Sequence, residues 1–228
     1  MVWWGRGVWL VGMALLISGC AVKFSQRSPW DIQQIQTLSE QLEQVRSLAQ
    51  LNAEEAERLR EAKALLEQRL ATEIAAKDVS VGFDERGLVV RVLDQVLFDS
   101  GKADLRSGAR AMLEKVARVL RDDLGGQPVR IEGHTDNQPI TYSGWKDNEE
   151  LSLARAQAVW TYLVKERGVD PTHLSTMGSG ERRPVASNDT PEGRQKNRRV
   201  ELVVLPTQSV ETAGPSDVES PVTSSYIK

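Results

Sequence analysis

The stretch V129-R-I-E-G-H-T-D136, followed after an 11-residue loop by N148-E-E-L-S-L-A-R-A156, decides how this chain reads. Residues 129–132 have strand character and run into Gly133, after which polar side chains come at once. Over 149–167, Leu151, Ala154, Ala158, Val159 and Leu163 recur at helical spacing and predict a helix with one buried side. Asp136 and Arg155 therefore belong to consecutive elements that can face one another across a cleft. Asn148 precedes Arg155 by nearly two helical turns and shares its face, as an N-cap or a clamp on the loop.

Outward from this core, residues 79–83, 84–87 and 88–93 read as strand, turn and strand. A helix is predicted over 107–121, with Ala111, Leu113, Val116, Ala117 and Leu120 on its buried side. Further strands are expected at 174–177 and 198–205, separated by a polar stretch over 182–194. The order is β-α-β-α-β with an added N-terminal hairpin. That predicts an α/β (α+β) sandwich, with helices packed on one face of a mixed sheet, over residues 78–205.

Composition narrows the function. The 228 residues carry a formal charge of -3, and residues 79–205 hold 19 basic and 19 acidic side chains, so no basic balance points to nucleic acid. Two histidines and one cysteine exclude a Cys/His metal site and an intramolecular disulfide, and no cofactor is expected.

The lone Cys20 has its own context. Arg6 precedes a ten-residue apolar run at 8–17, too short to span roughly 30 Å of hydrocarbon comfortably. I17-S-G-C20 resembles the bacterial lipobox, which implies cleavage after residue 19 and acylation of Cys20. Ala21 at the second mature position resembles an outer-membrane sorting signal. An uncleaved N-terminal anchor facing the same compartment is the alternative. Residues 20–31 then form a lipidated tether.

Residues 32–77 contain neither Pro nor Gly and keep a helical period. The heptad series Ile35, Leu38, Leu42, Val45, Ala49, Asn52, Ala56, Leu59, Lys63, Leu66, Leu70 is apolar at nine of eleven positions, which predicts a coiled-coil stalk and a homo-oligomer. The competing reading is a single helix folded back on the domain or on a partner. Residues 206–228 are polar and read as a disordered tail.

The segments V96-L-F-D-S-G-K-A-D-L105, V129-R-I-E-G-H-T-D136, N148-E-E-L-S-L-A-R-A-Q-A-V159, L174-S-T-M-G-S-G-E181 and N197-R-R-V-E201 resemble the OmpA-like C-terminal domain, shared by OmpA, peptidoglycan-associated lipoprotein and MotB. The resemblance covers about residues 80–205. It implies non-covalent binding of peptidoglycan through the meso-diaminopimelate of the stem peptide, on a protein lipid-anchored in the outer membrane and facing the periplasm. It places Asp136 on the ligand ammonium and Arg155 on a ligand carboxylate, with Thr135, Asn148, Leu151, Asn197 and Arg198 at the floor or rim. A zwitterionic ligand end needs one anionic and one cationic partner, and arginine's planar fork suits a carboxylate. Asn197 also reads as a turn residue, Arg198 and Arg199 as a solvated strand edge, and His134 as a structural histidine.

The 137–147 loop is similar to that of MotB, yet the chain's apolar run ends in the lipobox, not in a membrane helix bearing a proton-accepting aspartate. Tyr142 and Trp145 in this loop are candidates to cover the ligand or touch a partner. An enzyme is not expected. No serine stands in a nucleophile-elbow context, and His134 and Asp136, two residues apart on an extended chain, point the same way instead of toward a shared nucleophile. The competing functional class is an oligomeric envelope scaffold, or a MotB-like accessory protein, whose stalk recruits a partner complex.

Overall fold

A computed structural model describes residues 29–140 and 144–207. The expected signal segment with Cys20, Tyr142, and the expected tail from 208 onward lie outside the described residues. The chain divides into two compact units, one through Ser47 and one from Leu48. No described helix is long and apolar enough to cross a membrane.

Helix α1 (Pro29–Arg69) runs without interruption, as the absence of internal Pro and Gly dictates. Its apolar stripe has two fates. In the first unit Ile35, Leu38, Leu42 and Val45 are between 50 % and 64 % exposed. In the second, Leu59, Ala62, Leu66 and Leu70 are buried in the same apolar cluster as the strands and helices that follow. The coiled-coil stalk expected over 32–77 therefore does not extend through its second half. Heptad positions Leu59, Leu66 and Leu70 are already covered by this chain, and the compact unit starts at 48, not 78.

After a five-residue helix α2 (Ala71–Ala75) the hairpin β1 (Val79–Asp84) and β2 (Gly87–Leu93) forms as expected. A short helix α3 (Asp94–Leu97) follows β2, where no element was expected. Helix α4 (Ser107–Arg118) continues into a wider π-type turn at Val119–Asp123. Its buried side is Ala109, Met112, Leu113, Val116 and Ala117, so Ala111, expected in the core, faces out. Strand β3 (Val129–His134), helix α5 (Asn148–Thr161) and strand β4 (Leu174–Gly178) come next. The polar stretch before the last strand contains a helix the sequence did not reveal, α6 (Pro191–Asn197), capped by Thr190 with Pro at its start. Strand β5 is Arg199–Val204.

The sheet order is β1-β2-β5-β3-β4. Only the β3–β4 pair is parallel, and β5 lies antiparallel to both β2 and β3. Period-2 alternation sorts the residues into two faces. Leu88, Val90, Val92, Val129, Ile131, Val200, Leu202 and Val204 join the core under the helices. Among the intervening positions Arg91, Arg130, Glu132, Arg199 and Glu201 carry charge.

On that second face Glu132 stands directly opposite Glu201 in the β3–β5 register, an arrangement that destabilises unless cations intervene. They do. Arg86 bridges the pair, 2.8 Å from Glu132 and 2.5 Å from Glu201. Arg130 holds Glu132 at 2.7 Å, and Arg199 and Arg91 hold Glu201 at 2.7 and 2.9 Å. Arg199 is thus buried in this network and not a solvated edge. Burial alone would raise both carboxyls, but their hydrogen-bonding and charged neighbours outweigh it: His134, Arg130 and Arg86 hold Glu132 at about 2, and Arg199 and Arg86 hold Glu201 at about 2.

Two outcomes are expected. Leu66→Ala should cost about 2–5 kcal/mol in chemical denaturation of the full chain, as for a fully buried core leucine, whereas Val185→Ala, at an exposed loop position, should leave the transition within about 0.5 kcal/mol. Equal effects would contradict the embedding of α1. The two carboxylates depressed in the folded state add stability that is complete above the unfolded glutamate value of about 4.3 and lost as pH falls toward 2. Urea midpoints should therefore drop across that window. Glu201→Gln should already cost about 3 kcal/mol or more at pH 7, because it leaves guanidinium groups short of a partner.

Candidate functional site

Two glycines set the position of α5. A Cβ on Gly133 would lie 1.9 Å from the Ser152 carbonyl oxygen, and one on Gly178 would lie 2.7 Å from the Glu149 carbonyl oxygen. The first turns of α5 thus rest on bare backbone at the ends of the parallel pair, where a side chain would push the helix away. Ser152 completes the seat by accepting from the Gly180 N–H at 3.0 Å. Thr135 N–H donates to the Gly180 carbonyl at 2.9 Å, which carries the chain beyond β3 toward Asp136.

A cleft of about 910 Å³ opens beside this junction. Thr135, Asp136, Asn148, Leu151, Arg155 and Arg198 all line it, together with residues of the 94–106 segment. Six of the seven ligand-site residues expected from the sequence therefore converge. Asn197 does not. Fully buried, its side chain accepts from the Val185 and Ala186 N–H groups at 2.8 and 3.0 Å and donates to the Ala186 carbonyl and Asn188 Oδ1. It shapes the 185–188 loop and stands outside the cleft lining.

Asp136 is buried, accepts from the Gln138 N–H at 3.1 Å and pairs with Arg198. Arg198 is 40 % exposed at its side chain, so this pair reaches the cleft surface. Asn148 is a clamp and not the cap: its amide donates to the Asp136 and Gln138 carbonyls at 3.3 and 3.1 Å, while Asp147 caps α5 by accepting from the Glu150 N–H at 2.9 Å. Trp145 Nε1 donates to the Gly101 carbonyl at 2.9 Å, which ties the 137–147 loop to the segment preceding α4.

Arg155 takes a core-facing position on α5, in line with Leu151, Ser152 and Val159. Its guanidinium lies 5.3 Å from the Phe98 ring centroid, and Nε donates to the Lys102 carbonyl at 3.0 Å. The partner of Arg155 is Asp94 of α3, with Nη1 to Oδ1 at 3.0 Å and both side chains buried. Burial pulls the Arg155 pKa down while Asp94 supports its charge. Burial pushes the Asp94 carboxyl up to about 6, against the pull of Arg155 and Arg198. The only sequence trace of Asp94 was a carboxylate just before V96-L-F98, at a segment whose short helix went unread.

Asp136 and Arg155 thus do not bond to each other. Each carries its own counter-ion, Arg198 and Asp94, and the four charges balance within one cleft. The arrangement suits a ligand end that brings both an ammonium and a carboxylate. His134 lies on the other face of the sheet, buried beside Glu132 at 3.6 Å, and burial lowers its pKa. Among the described residues Glu132, His134 and Glu201 are the group able to bring three metal-ligating atoms together, but both carboxylates are already engaged by arginines.

Comparison with known proteins identifies the family of the domain. The family model described as the OmpA family matches residues 97–198. Motility protein B of Bacillus subtilis (strain 168) is 34 % identical over 160 residues, covering 70 % of this chain and 61 % of that protein. The probable lipoprotein YiaD of Escherichia coli (strain K12) is 34 % identical over 140 residues, 61 % of each chain. The chain thus matches about three fifths of the length of these two relatives. Among solved structures, the cell wall anchor of the T6SS from Pseudomonas aeruginosa is 36 % identical with a TM-score of 0.56, covering 61 % of this chain and 96 % of that one.

Proposed function

We propose, from the premise that the chain belongs to the OmpA family, that its cleft binds peptidoglycan through the meso-diaminopimelate of the stem peptide, without catalysis. Asp136 receives the ligand ammonium and Arg155 grips a ligand carboxylate, with Thr135, Leu151 and Arg198 at the rim and Asn148 holding the Asp136 loop. The observation that carries this reading is the convergence of Asp136 and Arg155 in one cleft, each buried and each held by contacts that fix its direction. Such preorganisation leaves little side-chain ordering to be done on binding. In the same reading, acylation of Cys20 anchors the chain in the outer membrane. Acyl chains contribute roughly 0.8 kcal/mol per buried CH₂, so more than one chain holds firmly. The protein is then a tether between that membrane and the wall, working in the periplasm.

Purified sacculi provide the test. The full chain should co-sediment with them, and Asp136→Ala or Arg155→Ala should each reduce retention at least tenfold. Wild-type retention no better than that of the double variant would reject the proposal.

A second reading has its own observation. Ile35, Leu38, Leu42 and Val45, at heptad spacing, are exposed on the first unit's part of α1. We propose that this part of the helix self-associates, so that the tether or an envelope scaffold built on it is oligomeric. Sedimentation of the full chain in detergent should show a dimer or larger species that Leu38→Glu with Leu42→Glu converts to monomer. A wild-type monomer at micromolar concentration would remove this reading.

A further inference from the structure

Arg155 already holds a carboxylate. Asp94 Oδ1 lies 3.0 Å from its Nη1, but the approach is off the N–H direction, and this buried oxygen has no aligned hydrogen bond. The Nε of Arg155 is committed to the Lys102 carbonyl, and the Phe98 ring sits near the guanidinium carbon. The nitrogen that Asp94 approaches is therefore one an arriving carboxylate would also use. Asp94 itself lines the cleft, so the two carboxylates would meet there in a partly dry space.

We infer that Asp94 is the chain's own occupant of the carboxylate position on Arg155, and that a ligand carboxylate takes the position as Asp94 takes up a proton from solvent. This makes Asp94 a positioning residue that couples occupancy of the cleft to pH. The inference rests on the stem-peptide reading above.

The charge balance supports the coupling. Asp94 faces Arg155 from α5, Arg198 from the turn between α6 and β5, and Asp136 from the loop after β3. Asp99, Lys102 and Arg106 line the cleft from the segment after α3. With Asp94 ionised, the four inner charges cancel, and a zwitterion adds a carboxylate beside an existing one on a single guanidinium. With Asp94 protonated, Arg155 is left without a full counter-charge, and the ligand carboxylate restores it. The carboxyl titrates at about 6 in the empty cleft, within reach of ordinary pH changes. A neighbouring ligand carboxylate raises that value further, because like charges disfavour ionisation. Binding therefore takes up a proton, and affinity rises as pH falls.

The test is calorimetric titration of the full chain with the soluble tripeptide L-Ala-γ-D-Glu-meso-diaminopimelate, from pH 5 to 8, in two buffers of different ionisation enthalpy. The expected result is affinity roughly tenfold higher at pH 5 than at pH 7, with close to one proton taken up per peptide at pH 7. Asp94→Asn should bind more tightly than wild type at pH 7, lose the pH slope and lose the proton uptake. If that variant does not fold, the carboxyl ¹³C shift of Asp94 in the wild-type chain decides: it should move to the protonated value on peptide addition at pH 7. A flat wild-type profile without proton uptake, an Asn variant that keeps the slope, or an Asp94 shift that stays ionised overturns the inference. In those cases the stem-peptide reading survives if Asp136→Ala and Arg155→Ala still lose the peptide. Absence of peptide binding at every pH overturns both.

Discussion

The seat of α5 on Gly133 and Gly178 is the constraint from which the cleft follows. Helix and strand backbones touch there, and the alternation of β3 then determines what lies on each side. Val129, Ile131 and Gly133 face the helices, while Arg130, Glu132 and His134 face away. Thr135 and Asp136 continue past the strand end, next to the first turn of α5, and Arg155 comes one turn further along. A methyl group at either glycine would separate the two halves of the cleft by displacing the helix.

Buried charge is used in two different ways. On the outer face of the sheet, Glu132 and Glu201 are saturated with arginine contacts, and their carboxyls are held low. That cluster joins β1, β2, β3 and β5 and has no vacancy for a ligand. In the cleft, each of two carboxylates has a guanidinium partner, and Arg198 stays partly in solvent. The first arrangement serves specificity of the fold and the second leaves exchangeable partners, a distinction that follows from how many contacts each oxygen makes.

Much of this was legible in the amino-acid order, for physical reasons that also explain the gaps. The strand at 129, its glycine and the amphipathic helix after it are local periodicities, and they located Asp136, Asn148 and Arg155, while Thr135, Leu151 and Arg198 entered the site only through the family resemblance. Asn197 was misplaced because a buried amide that pins a loop and one that lines a pocket look alike in sequence. Asp94 was overlooked because its importance comes from a residue 61 positions away. Helix α1 shows the same limit. Its heptads state that one side is apolar, and nothing local says whether that side meets a second copy or the chain's own core. Helix α6 hid in a polar stretch, since only its Thr190 cap and Pro191 signalled it.

The central place of β5 has a consequence for how the domain comes into being. Residues 199–204 are the last strand among the described residues, yet they lie between the β1–β2 hairpin and the β3–β4 pair. Until they arrive, the two halves of the sheet have no common neighbour, and Glu132 and Arg86 lack the strand that carries Glu201. A chain synthesised from its N-terminus thus holds an incomplete sheet until nearly the whole domain has been made. Long-range pairing of this kind closes late. The resistance of the sheet to unfolding is therefore gained in one step, when its central strand is supplied.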